Sequence, residues 1–375
     1  MYILELIWDY IIPFLFVLTV LIYVHEWGHY SIARLNNVRV EVFSIGFGPE
    51  IYGWTNKAGT RWKISAIPLG GYVKMFGEDA MAEKERELTP EELAVSFHQK
   101  SLGQRAAIVS AGPLANFLFA IVLLAGLLSI VGTPRQMAGV GEILPGSAAA
   151  EARMMTGDRI ISINGEPLAS FDDLIEVVSA NPGVRLEFII LRDGLEIPIA
   201  AIPRPVTREN AAGQPVVIGQ LGVRSDPNQV VYRRQNPVQA TLMAVEQTVV
   251  MSMKILSYVG EMISGSRSAD DLGGPLRIAQ MSGQMAQGGI VNLIFFMAAL
   301  SINLGLINLF PIPLLDGGHL FFYMFEAVLG RPLSPRTQDY GFRFGLILVF
   351  LLMIFATWND LVALKVFELI REFIT

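Results

Sequence analysis

The chain has 375 residues and a net charge of −6, and 52% of its residues are hydrophobic against 17% charged. Soluble domains carry about a quarter charged residues, and here the apolar residues gather in a few long runs, which indicates membrane spans rather than one large core. The acidic balance gives no reason to expect a nucleic-acid partner, and the absence of cysteine excludes a disulfide framework.

The first predicted element is a membrane-spanning helix over residues 7–30. It lacks the basic segment and the small-residue cleavage site of a removable signal peptide. Near its end lies the sequence His-Glu-Trp-Gly-His at 25–29. Residues four apart share one face of a helix, so His25 and His29 can bind one metal ion while Glu26 points at its water. Zinc suits these ligands and activates a bound water, so the motif predicts zinc-assisted hydrolysis with Glu26 as the base.

Between the first two spans the pattern changes from helix to strand. Short β-rich runs at 38–43, 61–66 and 72–75 are separated by glycine, proline and asparagine, which predicts β-hairpins. The charged stretch 78–92 is predicted to be a solvated surface segment. A second span follows over 104–131.

A small soluble domain is predicted over about 137–205. It contains the run Gly-Asp-Arg-Ile-Ile-Ser-Ile-Asn-Gly at 157–165, which ends in an Asn-Gly hairpin turn, followed by a helix over 171–179 and a pair of strands. This pattern resembles a PDZ domain, a fold that binds a peptide end or an extended segment by strand addition. Only one copy is found.

Two further spans are predicted at 290–315 and 342–358. The segment 240–263 is also apolar, but it carries three charged residues that are costly at membrane depth, so it is predicted to be an amphipathic helix. The span count is therefore four. The tail over 361–374 alternates apolar and charged residues at helical spacing and is predicted to lie on the membrane surface.

Lys and Arg residues near the span ends set the predicted orientation. They gather in the loops 34–104 and 326–342, which puts these loops inside and 132–289 outside. The ends of the first and third spans then meet near the cytoplasmic side, where a third ligand can join the histidine pair. The third span offers Asp316 and His319 after a stretch broken by two prolines, and their chemistry alone leaves both open.

Three motifs together resemble the site-2 protease family of intramembrane zinc metalloproteases, in particular its bacterial RseP group. They are His-Glu-x-x-His in the first span, Ala-Gly-Pro-Leu-Ala-Asn-Phe at 111–117, and Asn-x-x-Pro-x-Pro-x-x-Asp-Gly-Gly at 308–318. The likeness extends over nearly the whole chain. One departure is that RseP resembles a two-PDZ protein, whereas this chain has room for one such domain.

The resemblance implies roles for individual residues. It makes Asp316 the third zinc ligand and Glu26 the catalytic base, and it implies that Asn303 and Asn308 hold the substrate backbone. Asn116 is a further candidate for substrate contact. The alternative for the three asparagines is hydrogen bonding between helices.

The expected fold is a polytopic α-helical membrane protein with four transmembrane helices, a membrane-reentrant β-hairpin region that pairs with unwound substrate, and one α+β PDZ domain. The predicted segments are the first transmembrane helix (1–35), the reentrant hairpins with a cytoplasmic loop (36–100), the second transmembrane helix (101–135), the PDZ domain (136–205), an outer linker with the amphipathic helix (206–289), the third transmembrane segment (290–325), a cytoplasmic loop (326–341), the fourth transmembrane helix (342–358) and an amphipathic tail (359–375).

The expected function is regulated intramembrane proteolysis in a bacterial inner membrane. The resemblance implies that a single-span membrane protein, such as an anti-sigma factor or a remnant signal peptide, is cut after a prior outer-side cleavage, with the PDZ domain in the periplasm. Three alternatives remain: an inactive membrane-anchored PDZ scaffold, a metal-handling transporter, and a metalloprotease acting on soluble peptides. A transporter would place binding groups near the membrane midplane and would need no base beside the histidines.

Overall fold

The structure is a computed structural model that describes residues 5–78, 89–209, 214–226, 229–268 and 273–364. The chain forms two compact units. The first, here called the helical unit, consists of Met1–Leu127 and Pro237–Thr375, and the second, the β-rich unit, is Leu128–Asn236.

The elements of the described residues are mostly helices in the helical unit and mostly strands in the β-rich unit. The helices are α1 (Ile12–Leu35, after a π-helical turn at Ile7–Ile11), α2 (Pro90–Val95), α3 (Leu102–Ile130), α4 (Ala148–Glu151), α5 (Phe171–Ala180), α6 (Pro237–Ile263), α7 (Pro275–Gln287), α8 (Ile290–Asn308), α9 (Asp316–Leu329) and α10 (Pro335–Ala363). The strands are β1 (Val40–Thr55), β2 (Arg61–Met75), β3 (Thr133–Gln136), β4 (Val140–Ile143), β5 (Arg159–Ile163), β6 (Glu166–Pro167), β7 (Leu186–Arg192), β8 (Leu195–Ala201), β9 (Arg204–Glu209), β10 (Pro215–Gln220), β11 (Val223–Ser225) and β12 (Val230–Arg233).

Five helices of the described residues are long and apolar enough to cross a bilayer: α1, α3, α6, α8 and α10. The chain is therefore a multi-pass membrane protein. Four of the five correspond to predicted spans, and the fifth, α6, was predicted to be amphipathic because of its charges. Length and composition do not separate four spans from five, so the span count stays a prediction. Most of the predicted tail over 359–375 lies outside the described residues, which end at Leu364.

Helices α1 and α3 pack antiparallel to each other. His25 contacts Asn116, and one turn further along α1 His29 contacts Ile108, which lies about two turns earlier on α3. Gly28 lies between the two histidines, and any side chain there would strike the backbone of α3. Small residues let helices approach closely within a membrane, so this glycine brings both histidines against α3.

Helix α8 also packs antiparallel to α3 and therefore runs parallel to α1. The hydroxyl of Ser301 donates to the backbone oxygen of Asn116 at 2.7 Å. One turn further along α8, Gly305 lies against the backbone of Pro113 on α3. The ends of α1 and α8 consequently lie on the same side of the helical unit.

The end of α10 is tied to the start of α7 by Asp360. Its carboxylate is 1% exposed and accepts hydrogen bonds from the backbone N–H groups of Gly274, Leu276 and Arg277 at 2.8–3.1 Å. The first N–H groups of a helix have no partner within it, so Asp360 caps α7 from another helix. Gly283 of α7 packs against the turn that precedes α1. The end of α10 and the start of α1 therefore lie on one side of the unit.

Strands β1 and β2 bend and form four segments of one sheet. Residues 40–45 pair with 61–64 on one side and with 71–75 on the other, while 50–55 pair with the far side of 61–65. Among the described residues, the segment 71–75 is therefore an edge of the sheet.

The strands predicted near 38–43, 61–66 and 72–75 are present, but the first continues to Thr55. The sequence predicted a break at Gly46 and its neighbours. The structure instead has a bend there, with Gly46 at a φ of 89° and shifts in the pairing register. Glycine adopts this conformation without steric cost, so it redirects the strand without ending it.

Aromatic residues hold this sheet against α1. Phe43 of β1 stacks on Trp62 of β2 with ring centroids 4.2 Å apart, and both rings pack edge-on against Tyr30 of α1. Buried aromatic pairs in these geometries each contribute about 0.5–1.5 kcal/mol beyond the area that they bury. The cluster fixes the sheet beside the helix that carries the histidines.

The β-rich unit is built on a four-stranded antiparallel sheet in the order β6-β5-β7-β8. Three strand pairs accompany it, namely β4 with β11, β3 with β12, and β9 with β10. The core contains residues from strands and helices, among them Ile160, Leu174, Phe188 and Ile190. The predicted Asn-Gly turn is present between β5 and β6, with Asn164 and Gly165 both at positive φ, as hairpin turns of this type require.

The β-rich unit extends beyond the predicted boundaries of 136–205. Strand β11 pairs with β4, and β12 pairs with β3, so residues up to about 236 belong to it. The first part of the predicted outer linker, which was placed from 206 onward, therefore consists of strands of this unit. Pairing between strands some 80 to 100 residues apart is a tertiary effect that a local pattern does not reveal.

An ion pair inside the β-rich unit predicts acid sensitivity. Burial raises the pKa of Asp158, but hydrogen bonds from Arg192 at 2.7 Å and from the Met155 N–H outweigh it, so the folded-state pKa lies below the usual value of about 3.9. The ion pair therefore stabilises the folded unit fully at pH values above the unfolded-state pKa of Asp158. This stabilisation is lost as the pH falls through the folded-state pKa.

We expect Asp158→Asn to lower the unfolding temperature of the excised unit 128–236 by several degrees at pH 7 and by much less near pH 2. Circular dichroism melts of both proteins at the two pH values measure this. The matched control is Asp172→Asn, at an exposed position on α5. An equal loss for Asp158→Asn at both pH values would contradict the assignment.

Candidate active site

Three potential metal ligands converge near the C-terminal ends of α1 and α8. His25 and His29 lie on α1, and Asp316 is the first residue of α9. The Nε2 atom of His25 lies 3.1 Å from Asp316 Oδ2, that of His29 lies 3.5 Å from the same oxygen, and the two nitrogens lie 3.2 Å apart. The side chains are largely buried, so little solvent separates them.

The three atoms fit a metal ion. A tetrahedral ion with ligand bonds of about 2.0–2.2 Å holds its ligand atoms about 3.3–3.6 Å apart, close to the distances observed here. Asp316 Oδ2 is buried and has no hydrogen bond among the described residues, although two ring nitrogens face it. A buried carboxylate oxygen in this position needs a partner, and a cation shared with the two imidazoles supplies one.

Helix α3 contacts the far side of both rings. The Nδ1 atom of His29 lies 2.9 Å from the backbone oxygen of Ile108, which can only accept, so Nδ1 carries the proton and Nε2 offers its lone pair to the cluster. The Nδ1 atom of His25 lies 3.1 Å from the side-chain amide of Asn116. A hydrogen-bond partner at the outer nitrogen fixes the orientation and tautomer of a ligating histidine.

Glu26 lies beside the cluster and is 9% exposed. Its side chain packs against Gly71, where an added Cβ would lie 3.1 Å from Glu26 Cγ and 2.7 Å from a methyl group of Ile22. The edge segment 71–75 of the sheet therefore begins directly next to the Glu26 side chain. A side chain at position 71 would push the edge and the carboxylate apart.

The segment between α8 and α9 presents Asp316 through a tight, irregular loop. Gly317 and Gly318 pack directly on backbone oxygens of that loop, at Phe310 and Ile312, and any side chain would clash there. Leu314 has a φ of 115°, a strained conformation for a residue with a branched side chain. The Asp-Gly-Gly sequence is thus required by close backbone packing around the carboxylate.

An ion pair holds α9 against α3. Arg105 donates to Glu326 at 2.5 Å, both side chains are largely buried, and the guanidinium lies over the ring of Tyr323. Arg105 is one turn before Ile108, so the same end of α3 contacts His29 and secures the helix that begins with Asp316. Sequence reasoning did not identify this pair, because the two charges are 221 residues apart.

Gly112 of α3 lies directly under the His29 ring. A Cβ atom at this position would lie 2.2 Å from His29 Nε2. We expect Gly112→Ala to displace the ring and to weaken zinc binding by at least about tenfold, the lower end of what losing a ligand's supporting contacts costs. Gly126→Ala on the same helix is the matched control, since nothing lies within 4 Å of its added Cβ. Zinc retention in graded chelator compares the two, and equal retention would contradict the prediction.

The other candidate residues lie outside the cluster. Asn303 and Asn308 are half-buried on α8, and neither side chain has a hydrogen bond within the described residues. The His319 ring packs against Phe342 of α10, with ring centroids 5.1 Å apart. Of the two groups that residue chemistry left open, the structure brings Asp316 and not His319 to the histidine pair.

Two contacts of the His29 ring, with Ile108 and with Gly112, were not predicted from the sequence. The Ile108 contact is made by a backbone oxygen, which a pattern of side chains does not reveal. Gly112 belongs to the Ala-Gly-Pro motif, so the motif signalled a constraint there without revealing that the constraint is the His29 ring.

The helices and the cluster together define a multi-pass membrane protein with a metallopeptidase-type site. Residues 13–352 match the protein family described as "Peptidase family M50". The chain belongs to this family and is a metalloprotease, as the motifs predicted.

Similar proteins extend over almost the whole chain. A Rhizobium meliloti protein named "Putative zinc metalloprotease" is 44% identical over 94% of this chain and 96% of its own length. The metalloprotease MmpA of Caulobacter vibrioides is 37% identical over 97% of this chain and 98% of its own. The PDZ domain of an SdrC-like protein from Listeria innocua matches 24% of this chain at 17% identity with a TM-score of 0.19, too low to support a fold assignment.

Proposed function

We propose that the protein is an intramembrane zinc endopeptidase in which His25, His29 and Asp316 bind zinc and Glu26 is the general base. The observation that carries this proposal is the convergence of two Nε2 atoms and a carboxylate oxygen at 3.1–3.5 Å beside a buried glutamate. When bound, zinc lowers the pKa of a water molecule to about 7 and polarises the scissile carbonyl.

The chain's own residues then move the proton and hold the reactants. Glu26 takes the proton of the attacking water and delivers it to the leaving amine, a role that requires only the short reach of a carboxylate beside the metal ligands. The contacts of α3 with both rings keep Nε2 of each histidine directed inward. The largely buried site limits bulk water, which strengthens every electrostatic interaction within it.

The proposed substrate is a single-span membrane protein. A peptide bond within a transmembrane helix is covered by the helix's own hydrogen bonds, so the segment must unwind before attack. The edge segment 71–75 lies next to Glu26. In this proposal the sheet enters the membrane, and the edge segment would hold the unwound segment by strand addition. Asn303 and Asn308, free of hydrogen bonds within the described residues, would satisfy backbone groups that unwinding exposes to lipid.

A four-span arrangement is supported by the helix directions. Helices α1 and α8 run parallel, α3 and α10 run opposite to them, and α7 lies next to the turn before α1. The chain therefore leaves α3 and enters α8 on the same side, which is expected if α6 does not cross. We propose that this side is the periplasm of a bacterial inner membrane and that the metal site lies near the cytoplasmic side.

We further propose that the β-rich unit is a periplasmic PDZ domain that binds a peptide C-terminus or an extended segment. This is supported by its antiparallel sheet, its Asn-Gly turn and the short helices α4 and α5. In this role it would admit substrates, such as an anti-sigma factor or a remnant signal peptide, only after a prior outer-side cut.

The test is cleavage of a model single-span protein by the purified enzyme in proteoliposomes, with and without a zinc chelator. The substrate is supplied intact and with its outer domain removed. Zinc-dependent cleavage of the shortened substrate alone is expected, and removal of residues 128–236 should allow cleavage of the intact one. Hydrolysis of soluble peptides without cleavage of either membrane substrate would contradict the proposed substrate class.

A further inference from the structure

Asn116 lies deep in the helical unit, where a substrate-binding role is hard to reconcile with its surroundings. Its side chain is 0% exposed, and its Nδ2 position lies 3.1 Å from Nδ1 of His25. Its backbone oxygen accepts from the buried hydroxyl of Ser301 at 2.7 Å. The side chain is therefore enclosed between α1, α3 and α8 and directed at a ring nitrogen.

If His25 binds a metal, the Asn116 side chain must accept a hydrogen bond from Nδ1 of His25. His25 can bind a metal through Nε2 only if Nε2 is unprotonated, and in the neutral ring the proton is then on Nδ1. The Nδ1–H group needs an acceptor, which for a carboxamide is the oxygen. The two ends of a carboxamide have nearly the same shape, so the cavity accommodates Oδ1 facing His25.

Helix α3 also provides a hydrogen-bond acceptor to Nδ1 of His29. There the acceptor is the backbone oxygen of Ile108, 2.9 Å from Nδ1. Ile108 and Asn116 are eight residues apart, just over two helical turns, and so lie on one face of α3. The two histidines are four residues apart on α1, which runs antiparallel. One face of α3 thus presents an acceptor to each ring.

We propose that Asn116 is a positioning residue: its Oδ1 accepts a hydrogen bond from Nδ1–H of His25 and thereby holds Nε2 toward the metal. It does not bind substrate. The proposal rests on the proposed function in one respect, namely that His25 is a metal ligand. Partners of this kind typically contribute about 10–100-fold to metal affinity.

The test compares three variants of the full-length protein in detergent, each checked for folding by size-exclusion chromatography and thermal unfolding. Asn116→Leu keeps the side-chain size and removes the acceptor, and Asn116→Asp keeps an acceptor. Ser301→Ala is the matched control, since it perturbs the packing around Asn116 without touching His25. If the Leu variant does not fold, Asn116→Ala takes its place.

The readouts are zinc affinity by chelator competition, the visible absorption spectrum of the Co²⁺-substituted protein, and KM after zinc is restored. We expect the Leu variant to bind zinc about 10–100-fold more weakly and to show an altered Co²⁺ spectrum. The Asp variant and Ser301→Ala should bind zinc within a few-fold of the unmodified protein. KM should stay unchanged in all three.

Two results would overturn the proposal. Unchanged zinc affinity with a raised KM in both Asn116 variants would mean that Asn116 contacts substrate. An equal loss of zinc in the Leu and Asp variants would mean that the site tolerates no change of packing, irrespective of an acceptor. If the unmodified protein itself binds no zinc, the proposed function fails first, and that outcome is distinguishable because it appears before any substitution.

Discussion

Glu26→Gln should slow proteolysis by at least about a hundredfold while leaving the zinc content of the protein unchanged. The substitution keeps the size of the side chain and removes only its ability to accept a proton. General acid–base groups contribute about 10²–10⁴-fold to rate, so cleavage of the model single-span substrate should fall by this amount. The initial rate of product formation and zinc per protein chain, measured on the same preparation, test both halves of the prediction.

The matched control is Glu246→Gln, at an exposed position on α6 of the same helical unit. It removes one carboxylate without touching the cluster and should leave the cleavage rate within about twofold, as expected of a surface substitution. Full activity in Glu26→Gln would contradict the role of Glu26 as the general base. Loss of zinc together with activity would instead make Glu26 part of the metal-binding arrangement.

Asp316→Asn should release zinc and, as a consequence, activity. The amide keeps the shape of the carboxylate but has no negative charge to bind a divalent cation. Loss of a hydrogen-bond partner that supports a metal ligand lowers metal affinity by about 10–100-fold. Loss of the ligand itself should lower the zinc affinity by at least this factor. Competition with a chelator of known affinity measures it, and zinc supplied in excess should partly restore cleavage.

Two further variants serve as comparisons for Asp316→Asn. Asp339→Asn, which removes the partner of Arg343 on the exposed surface of α10, should leave zinc affinity unaltered. His319→Phe removes the other group in the segment that can bind zinc, and it should retain zinc because the His319 ring packs against Phe342. Zinc loss in His319→Phe with retention in Asp316→Asn would reverse the proposed ligand set.

Much of this site could be predicted from the sequence because it depends on the spacing of residues within one helix and on which segments form long apolar helices. The spacing of His25 and His29 fixes them on one helical face, and the long apolar runs reveal the helices that meet there. Asp316 is different, since residue chemistry favoured it over His319 but left both open, and the resemblance to a known family decided between them. The structure brings its carboxylate to the two Nε2 atoms through a loop with strained geometry at Leu314.

The remaining features depend on contacts between distant segments. The sheet edge 71–75 next to Glu26 arises from a strand that bends at glycines, where the pattern predicted an end. The full extent of the β-rich unit follows from strands that pair across the unit. The apposition of Asn116 to His25 depends on the packing of α1 against α3. Short-range periodicity contains no information on such pairings.

The most direct test of the metal site is an anomalous difference map, collected at the zinc absorption edge from crystals of the detergent-solubilised protein. The proposed centre predicts one strong peak within about 2.0–2.2 Å of Nε2 of His25, Nε2 of His29 and a carboxylate oxygen of Asp316. A peak coordinated by His319, or fully occupied zinc at another place in the chain with none between these three groups, would contradict it.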